Sequence, residues 1–431
     1  MNLVKTSLLS GLAVATRLST ALYLNKMLAV YVGPAGFALV GQFQSLISLV
    51  QAFGGGALQV GVTKYTAEYA TNVSRRQTVH ACALAVSLLS SVAVAVVLVL
   101  GREALSVRIF GTDAYADVVV WLAATLVFIS TNAIVLAILN GAKQIRSLTA
   151  ANIGGSLLTA ALSTALVVHW HVHGALIALA AGPAAALLVS LYFFRRVERF
   201  HWPGWQASLD KDILRKLGGY ALMAGTTALV VPVGFMIIRD SLASQMGWSG
   251  AGLWQALWKI SETHLLLLTS VLSVYFLPRL AEIRKGDELR REVLGAYRFV
   301  VPIVLLSAIA LYLFREVLIR TLLSPEFAPI GDVFPIQLVG DMLKICSWVM
   351  AYTMVSHAQT RSFIVTEILF TALLVGATIV LTRWLGLTGA ALAYAGTYLL
   401  YWMTVYVLFR RLVTHLDSPP SETLRQLSSR A

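Results

Sequence analysis

Apolar runs of about 18 or more residues recur along this whole chain, and that repetition decides what it can fold into. Wound as helix at 1.5 Å per residue, each run is long enough to cross a hydrocarbon core of about 30 Å. A helix satisfies its own backbone donors and acceptors, which lipid cannot do for it. Composition agrees: the 431 residues are 58% hydrophobic and 12% charged, against roughly a quarter charged for soluble globular domains. The sequence therefore predicts an all-α, polytopic membrane protein.

The runs number twelve, at 7–32, 37–60, 77–100, 114–139, 147–168, 173–194, 217–238, 251–277, 293–314, 333–356, 363–382 and 388–409. Gly33-Pro34, Gly54-Gly55-Gly56, Gly154-Gly155 and Gly218-Gly219 are expected to punctuate the joints, and Pro183 and Pro232 to bend the helices they lie in. Between the sixth and seventh runs lies 195–216, RRVERFHWPGWQASLDKDILRK. It is dense in charge, with Arg195, Arg196, Glu198 and Arg199 at one end and Asp210, Lys211, Asp212, Arg215 and Lys216 at the other. It cannot sit in lipid, and it divides the chain near its midpoint. The expected organisation is a six-helix lobe at 1–194, a cytoplasmic linker at 195–216, a second six-helix lobe at 217–410 and a cytoplasmic tail at 411–431. After Met1–Ser7 the first apolar run is too long for a cleavable signal, so none is expected.

Lysine and arginine set the orientation. With the N-terminus in the cytoplasm, 22 of them fall on the cytoplasmic side. Six fall on the other: Arg102, Arg108, Arg239, Arg315, Arg320 and Arg383. This asymmetry accounts for the net charge of +13 without invoking nucleic acid, and it puts both termini in the cytoplasm.

The halves echo each other at one nearly constant offset, that between Arg146 and Arg361. Gly33-Pro34-Ala35-Gly36, followed by Gln42, matches Gly247-Trp248-Ser249-Gly250, followed by Gln255. Thr63–Glu68 matches Pro278–Glu282, Arg146-Ser147 matches Arg361-Ser362, and Gly174-Ala175 matches Gly389-Ala390. Six spans per half give two repeats of the same orientation, an arrangement used by alternating-access transporters.

Charges inside spans are expensive and point to function. The basic ones are Arg17, Lys26, Lys259, Arg298 and Lys344; the acidic ones are Glu262, Asp341 and Glu367, with His264 nearby. A basic surplus at membrane depth suits an anionic guest. Lys259 with Glu262, and Asp341 with Lys344, are three apart and can equally neutralise each other on one helix face. Arg298 is close enough to a span end to snorkel. Arg17 lies ten residues into the first span with no acid beside it. Gln42, Gln51, Trp254, Gln255 and Trp258 add amides and aromatic faces, which suit sugars or a large amphipathic ligand and serve equally as interhelical glue. The carboxylates Asp341, Glu262 and Glu367 are the groups able to exchange a coupling ion.

No catalytic motif stands out. His169, His171 and His173 lack the spacing and the carboxylate of a metal site and read as a wet joint. Gly54-Gly55-Gly56 lacks the lysine–serine pair of a P-loop. Cys82 and Cys346 sit in apolar runs and imply no disulfide. No metal or other cofactor is expected. Without an ATPase signature, pumping would draw on an ion gradient or on the substrate's own.

Several stretches resemble Wzx-type lipid-linked oligosaccharide flippases, the O-antigen and enterobacterial common antigen translocases of the multidrug/oligosaccharidyl-lipid/polysaccharide exporter superfamily. They are Lys26–Val30 with Gly33-Pro34-Ala35-Gly36, Gly61–Tyr69, Leu253-Trp254-Gln255, Val274–Leu280 and Gln337–Lys344. The resemblance spans roughly residues 3–410. It implies two pseudo-symmetric six-helix lobes around a central cationic cavity in the bacterial inner membrane. It implies an undecaprenyl-pyrophosphate-linked oligosaccharide as the substrate, moved from the cytoplasmic to the periplasmic leaflet, with coupling to H+ or Na+ and a polysaccharide polymerase complex as a partner. Arg17, Lys26, Lys259 and Lys344 would then meet the pyrophosphate, with Arg17 best shaped for it because guanidinium matches phosphate oxygens. The alternative is a multidrug/ion antiporter of the same superfamily. Its guests are usually cationic, and the basic surplus argues against it.

Overall fold

In the computed structural model, residues 3–197, 210–272, 276–357 and 359–417 are described. The centre of the expected linker at 198–209, Ser273 to Tyr275, and 418–431 of the expected tail lie outside them. The described residues are helical, with no strand among them.

The elements repeat in kind as well as in order. A long broken helix, α1 (Leu3–Phe53), is followed by a short one, α2 (Gln59–Glu68), then α3 (Val73–Leu100), short α4 (Arg102–Phe110), α5 (Ala116–Gly141) and a second long broken helix, α6 (Ile145–Arg195). The same pattern returns as α7 (Lys211–Val271), α8 (Leu277–Glu282), α9 (Gly286–Leu313), α10 (Arg315–Leu322), α11 (Ile330–Ser356) and α12 (Thr360–Asp417). Eight of these are long and apolar enough to cross a membrane. Four of the eight are interrupted by a residue with non-helical φ and ψ: Gly33 in α1, His171 in α6, Gly247 in α7 and Gly386 in α12. Each break separates two limbs, so the described residues are consistent with the twelve expected crossings.

The breaks fall at the repeat offset. Gly33 pairs with Gly247 and His171 with Gly386, and the two separations differ by a single position. Three of the four are glycines with positive φ, where a side chain would clash with its own backbone. Pro34 then opens the second limb of α1, where its missing N–H costs nothing. His171 takes such a backbone (φ 47°) without being glycine. The joint expected at the histidines is thus a one-residue break between two helical limbs, with His169 and His171 exposed and His173 Nε2 2.7 Å from Asp117 Oδ2.

The other glycine pairs do different work. Gly54 and Gly55 end α1, as expected of a joint, and there the Ser87 and Ser91 hydroxyls of α3 donate to the Gly54 carbonyl at 3.4 and 2.7 Å. Gly154-Gly155 and Gly218-Gly219, expected at joints, lie instead inside α6 and α7. A Cβ on Gly155 would stand 3.1 Å from that of Ala186, so this glycine lets two limbs approach.

Helix faces are patterned for lipid. On α3 the small and polar Ala83, Ser87 and Ser91 are buried, while Leu88, Leu89, Val96 and Val97 are exposed. Lipid offers no hydrophobic drive between helices, so close packing and hydrogen bonds hold the inner face.

The chain divides into two compact units, Met1–Ala256 with Ile319–Ala328, and Leu257–Leu318 with Pro329–Ala431. In the first, Val62, Val79, Cys82, Ile134, Ile138 and Phe194 share a core with Ile213 and Leu217 from the start of α7. In the second, Leu265, Leu280, Val293, Ile345, Val349, Val405 and Phe409 form the core.

Candidate transport site

Arg17, the deepest basic residue of the first span, lines a cavity of about 380 Å³ inside the first unit. Thr20, Asn132, Asn152, Ser156, Thr159 and Ser190 share its wall, from both limbs of α6 as well as α1 and α5. Pro183 and the Gly155–Ala186 approach shape that wall, so the small residues of α6 make the room the polar ones face. The guanidinium forms no ion pair among the described residues, and the buried Asn132 Oδ1 finds no hydrogen-bond partner there. Arg17 is exposed at this open pocket, and Leu24, Leu136, Ala151 and Pro183 make the rest of its wall apolar. A cation with five donors, beside amides and hydroxyls and no carboxylate, can take a phosphate or another anion together with attached hydroxyls.

Lys26 stands elsewhere. Its Nζ donates to the carbonyls of Arg320 (2.8 Å) and Leu323 at the end of α10. Unsatisfied C-terminal carbonyls carry the negative end of a helix dipole, which explains the attraction. Beside this contact Phe327 is fully buried and meets Phe37 edge-on at 5.6 Å.

A second arginine is more deeply enclosed. Arg239 is 3% exposed. Its Nε donates to Gln255 Oε1 at 2.7 Å, and Nη1 donates to Gln42 Oε1 at 3.0 Å and to Ser45 Oγ at 3.1 Å. Its guanidinium lies 5.8 Å from the Trp254 ring, which in turn meets Phe235 edge-on. No carboxylate pairs with it among the described residues. Counted above as an exterior-loop residue, Arg239 belongs instead inside α7, which continues past it to the break at Gly247. Gln42, Trp254 and Gln255, expected to line a cavity, are thus gathered around this arginine. Gln51 is half-buried and takes no part in the cluster.

In the second unit Asp341 is completely buried. Tyr394 donates its hydroxyl to Oδ1 at 2.8 Å, and His264 Nδ1 lies 3.3 Å from Oδ2. His264 Nε2 is 2.8 Å from Ser307 Oγ. Asp341 and Lys344 therefore do not form the direct ion pair their spacing allows. Lys344 Nζ is enclosed by aromatic faces instead, at 4.7 Å from Trp258, 5.1 Å from Trp348, 5.2 Å from Tyr398 and 5.7 Å from Tyr394. Ring quadrupoles and the nearby carboxylate replace its water. Lys259 is held by Glu262 at 2.8 Å, the mutual neutralisation open to a pair three residues apart. Glu367 is half-buried on α12 and makes no ion pair among the described residues.

Arg239 and the partners of Asp341 escape a reading of the sequence. The usable signal for Arg239 is its distance from Gly247, which is close to the distance of Gln42 from Gly33. For Tyr394 and Tyr398 no local signal exists, because the contacts join α11 to α12 from well separated parts of the chain.

The polysaccharide biosynthesis protein family matches residues 4–284. The lipid III flippase of Escherichia coli (strain K12) is 32% identical over 422 residues, covering 95% of this chain and all of that one. The lipid III flippase of Shigella flexneri matches equally. Among solved structures, an inward-facing multidrug resistance MATE family transporter of the MOP superfamily superposes with a TM-score of 0.78 at 18% identity, over 94% of this chain and 98% of that one. A MOP superfamily transporter from Pyrococcus furiosus, whose binding pocket is described as of reverse polarity, superposes with a TM-score of 0.70 at 15% identity, over 96% and 97%. The fold is that of these transporters, and the sequence relatives favour the flippase reading over the multidrug one. The chain is an integral membrane transporter, not an enzyme, and it belongs to the polysaccharide biosynthesis protein family.

Proposed function

We propose that this protein flips an undecaprenyl-pyrophosphate-linked oligosaccharide, of O-antigen or enterobacterial common antigen type, from the cytoplasmic to the periplasmic leaflet of a bacterial inner membrane. Both termini and the 195–216 linker face the cytoplasm. The lobes at 1–194 and 217–410 alternate access, and a polysaccharide polymerase complex receives the product. The observation that carries the reading is the Arg17 cavity. A single arginine with no ion-pair partner among the described residues, with amides and hydroxyls on one part of the wall and apolar side chains on the rest, suits a diphosphate head bearing sugars.

In this reading the pyrophosphate leaves its hydration shell for the Arg17 guanidinium, with the side-chain amides and hydroxyls around it accepting from and donating to the first sugar. The polyprenyl tail stays in lipid. Lys26, Lys259 and Lys344 add positive potential along the route, and each carries a partner that the substrate has to replace. Coupling to H+ or Na+ runs through Asp341, with Glu262 and Glu367 as further carboxylates. His264 holds the second oxygen of Asp341 and gives a proton leaving the carboxylate somewhere to go.

The test is leaflet transfer of labelled lipid-linked oligosaccharide in proteoliposomes. Arg17→Ala is expected to abolish transfer at normal abundance. Arg17→Lys should keep part of it, because an ammonium retains the charge and loses the planar fork. Parental transfer by Arg17→Ala would remove Arg17 as the phosphate ligand.

A further inference from the structure

The Arg239 cluster joins parts of the chain that the repeat makes equivalent. Gln42 lies nine residues after the break at Gly33, and Gln255 lies eight after the break at Gly247. Arg239 lies eight before Gly247. At 1.5 Å per residue all three sit about 12–14 Å below the same end of their helices. The two second limbs touch nearby: a Cβ on Gly252 would overlap the Pro34 carbonyl. At that same end Lys26 holds the close of α10, and Phe327 packs edge-on against Phe37.

The chemistry of the cluster is unusual for a permanent staple. A buried guanidinium is normally matched by a carboxylate, because an unpaired charge in low dielectric is costly. Here the acceptors are two amides and a hydroxyl, all neutral. Water can replace each of them without leaving a second buried charge behind. Such a fastening holds while it is dry and lets go once water enters.

We infer that Arg239, with Gln42 and Gln255, is the clasp that closes the exterior end of the transport path and opens once in each cycle. This rests on the alternating-access reading proposed above. Arg239 touches no substrate in this role; it positions the second limb of α1 against the limbs on either side of Gly247. The Lys26 contact and the Phe37–Phe327 pair are the outer part of the same closure.

The experiment reads closure without substrate. Ala38 is fully buried and lies one turn from Gln42, and native Cys82 is fully buried in the core of the first unit. In detergent-solubilised Ala38→Cys protein, maleimide labelling at positions 38 and 82 is followed by peptide mass spectrometry, which separates both from the second native cysteine, Cys346. Arg239→Gln is expected to raise labelling at position 38 several-fold and leave Cys82 unchanged, and Arg239→Lys should lie between. Unchanged labelling at 38, or an equal rise at Cys82, overturns the clasp, the latter because it marks general loosening. If Arg239→Gln does not accumulate, Gln255→Leu removes one acceptor and reads the same quantity. Because no substrate is present, failure here leaves the lipid-linked oligosaccharide reading intact, whereas failure of the leaflet-transfer assay on the parental protein would remove that reading alone.

Discussion

Gln42 and Gln255 occupy matching places in the two sequence repeats and present their side-chain carbonyl oxygens to one guanidinium, that of Arg239. A hydrogen bond to a charged group contributes about 1.5–3 kcal/mol, and removing one partner leaves a buried donor with nothing to bond. Gln255→Leu is therefore expected to destabilise the detergent-solubilised protein by about 1–3 kcal/mol. Adding Arg239→Met in that background should recover part of the loss, since it removes the under-bonded buried charge and leaves only the neutral Gln42 and Ser45 without their donor. Thermal unfolding of the two single variants and the double variant gives the cycle. A double variant less stable than Gln255→Leu alone would mean that Gln42 and Ser45 suffice to satisfy the Arg239 charge without Gln255.

Asp341 poses a separable question. Its Oδ1 accepts from Tyr394 and its Oδ2 faces His264, so both carboxylate oxygens are engaged while the residue is completely buried. Asp341→Asn keeps an oxygen for Tyr394 and removes the exchangeable proton. If this residue couples the gradient, gradient-driven transfer should fall by at least about tenfold, the change that accompanies 1.4 kcal/mol. Substrate binding should stay within about twofold, a difference well below 1 kcal/mol. Tyr394→Phe, which removes a donor and no charge, should lose less transfer than Asp341→Asn. Equal loss of binding and transfer in Asp341→Asn would make Asp341 a structural residue of α11.

Much of this was legible in the order of residues, and the limits have physical causes. Apolar length places the spans because lipid leaves the chain no other way to satisfy its backbone. The Gly33 and Gly247 breaks show because a positive φ favours glycine, and the matching sequence around them marks the repeat. Arg17 stands out in the sequence, since an unpaired arginine in mid-span would cost several kcal/mol in lipid, and it lines the open pocket in the first unit. Lys26 is not readable in the same way. Its partners are backbone carbonyls in the other half of the sequence, and backbone carries no signature of what it will accept. Arg239 is hidden by the loop-counting rule itself, which assigns an arginine near a span end to water. Asp341 and Lys344 show the weakness of spacing arguments. Three residues apart allows a pair, but the tyrosine and histidine of other helices compete for the carboxylate, and four rings compete for the ammonium.

A close approach in the first unit is itself testable. A Cβ at Gly252 would overlap the carbonyl oxygen and carbon of Pro34, both backbone atoms that cannot swing aside. Gly295, on α9, has nothing within 4 Å of the same added atom and is exposed. The substitution to alanine is chemically identical at the two sites, and alanine is favoured over glycine in a helix by about 0.8–1 kcal/mol. At Gly295 that preference acts alone, so Gly295→Ala should be neutral or slightly stabilising. At Gly252 the limbs after Gly33 and Gly247 must part to admit the methyl group, and overpacking of this kind costs about 1–3 kcal/mol or more. Gly252→Ala should lower the thermal midpoint and the membrane abundance, and raise maleimide labelling at an Ala38→Cys reporter because the limbs are held apart. Measuring both variants side by side separates helix propensity from contact. If Gly252→Ala melts with the parental protein and labels no faster, the two limbs do not meet at Pro34 and Gly252, and the closure built on that contact fails with it.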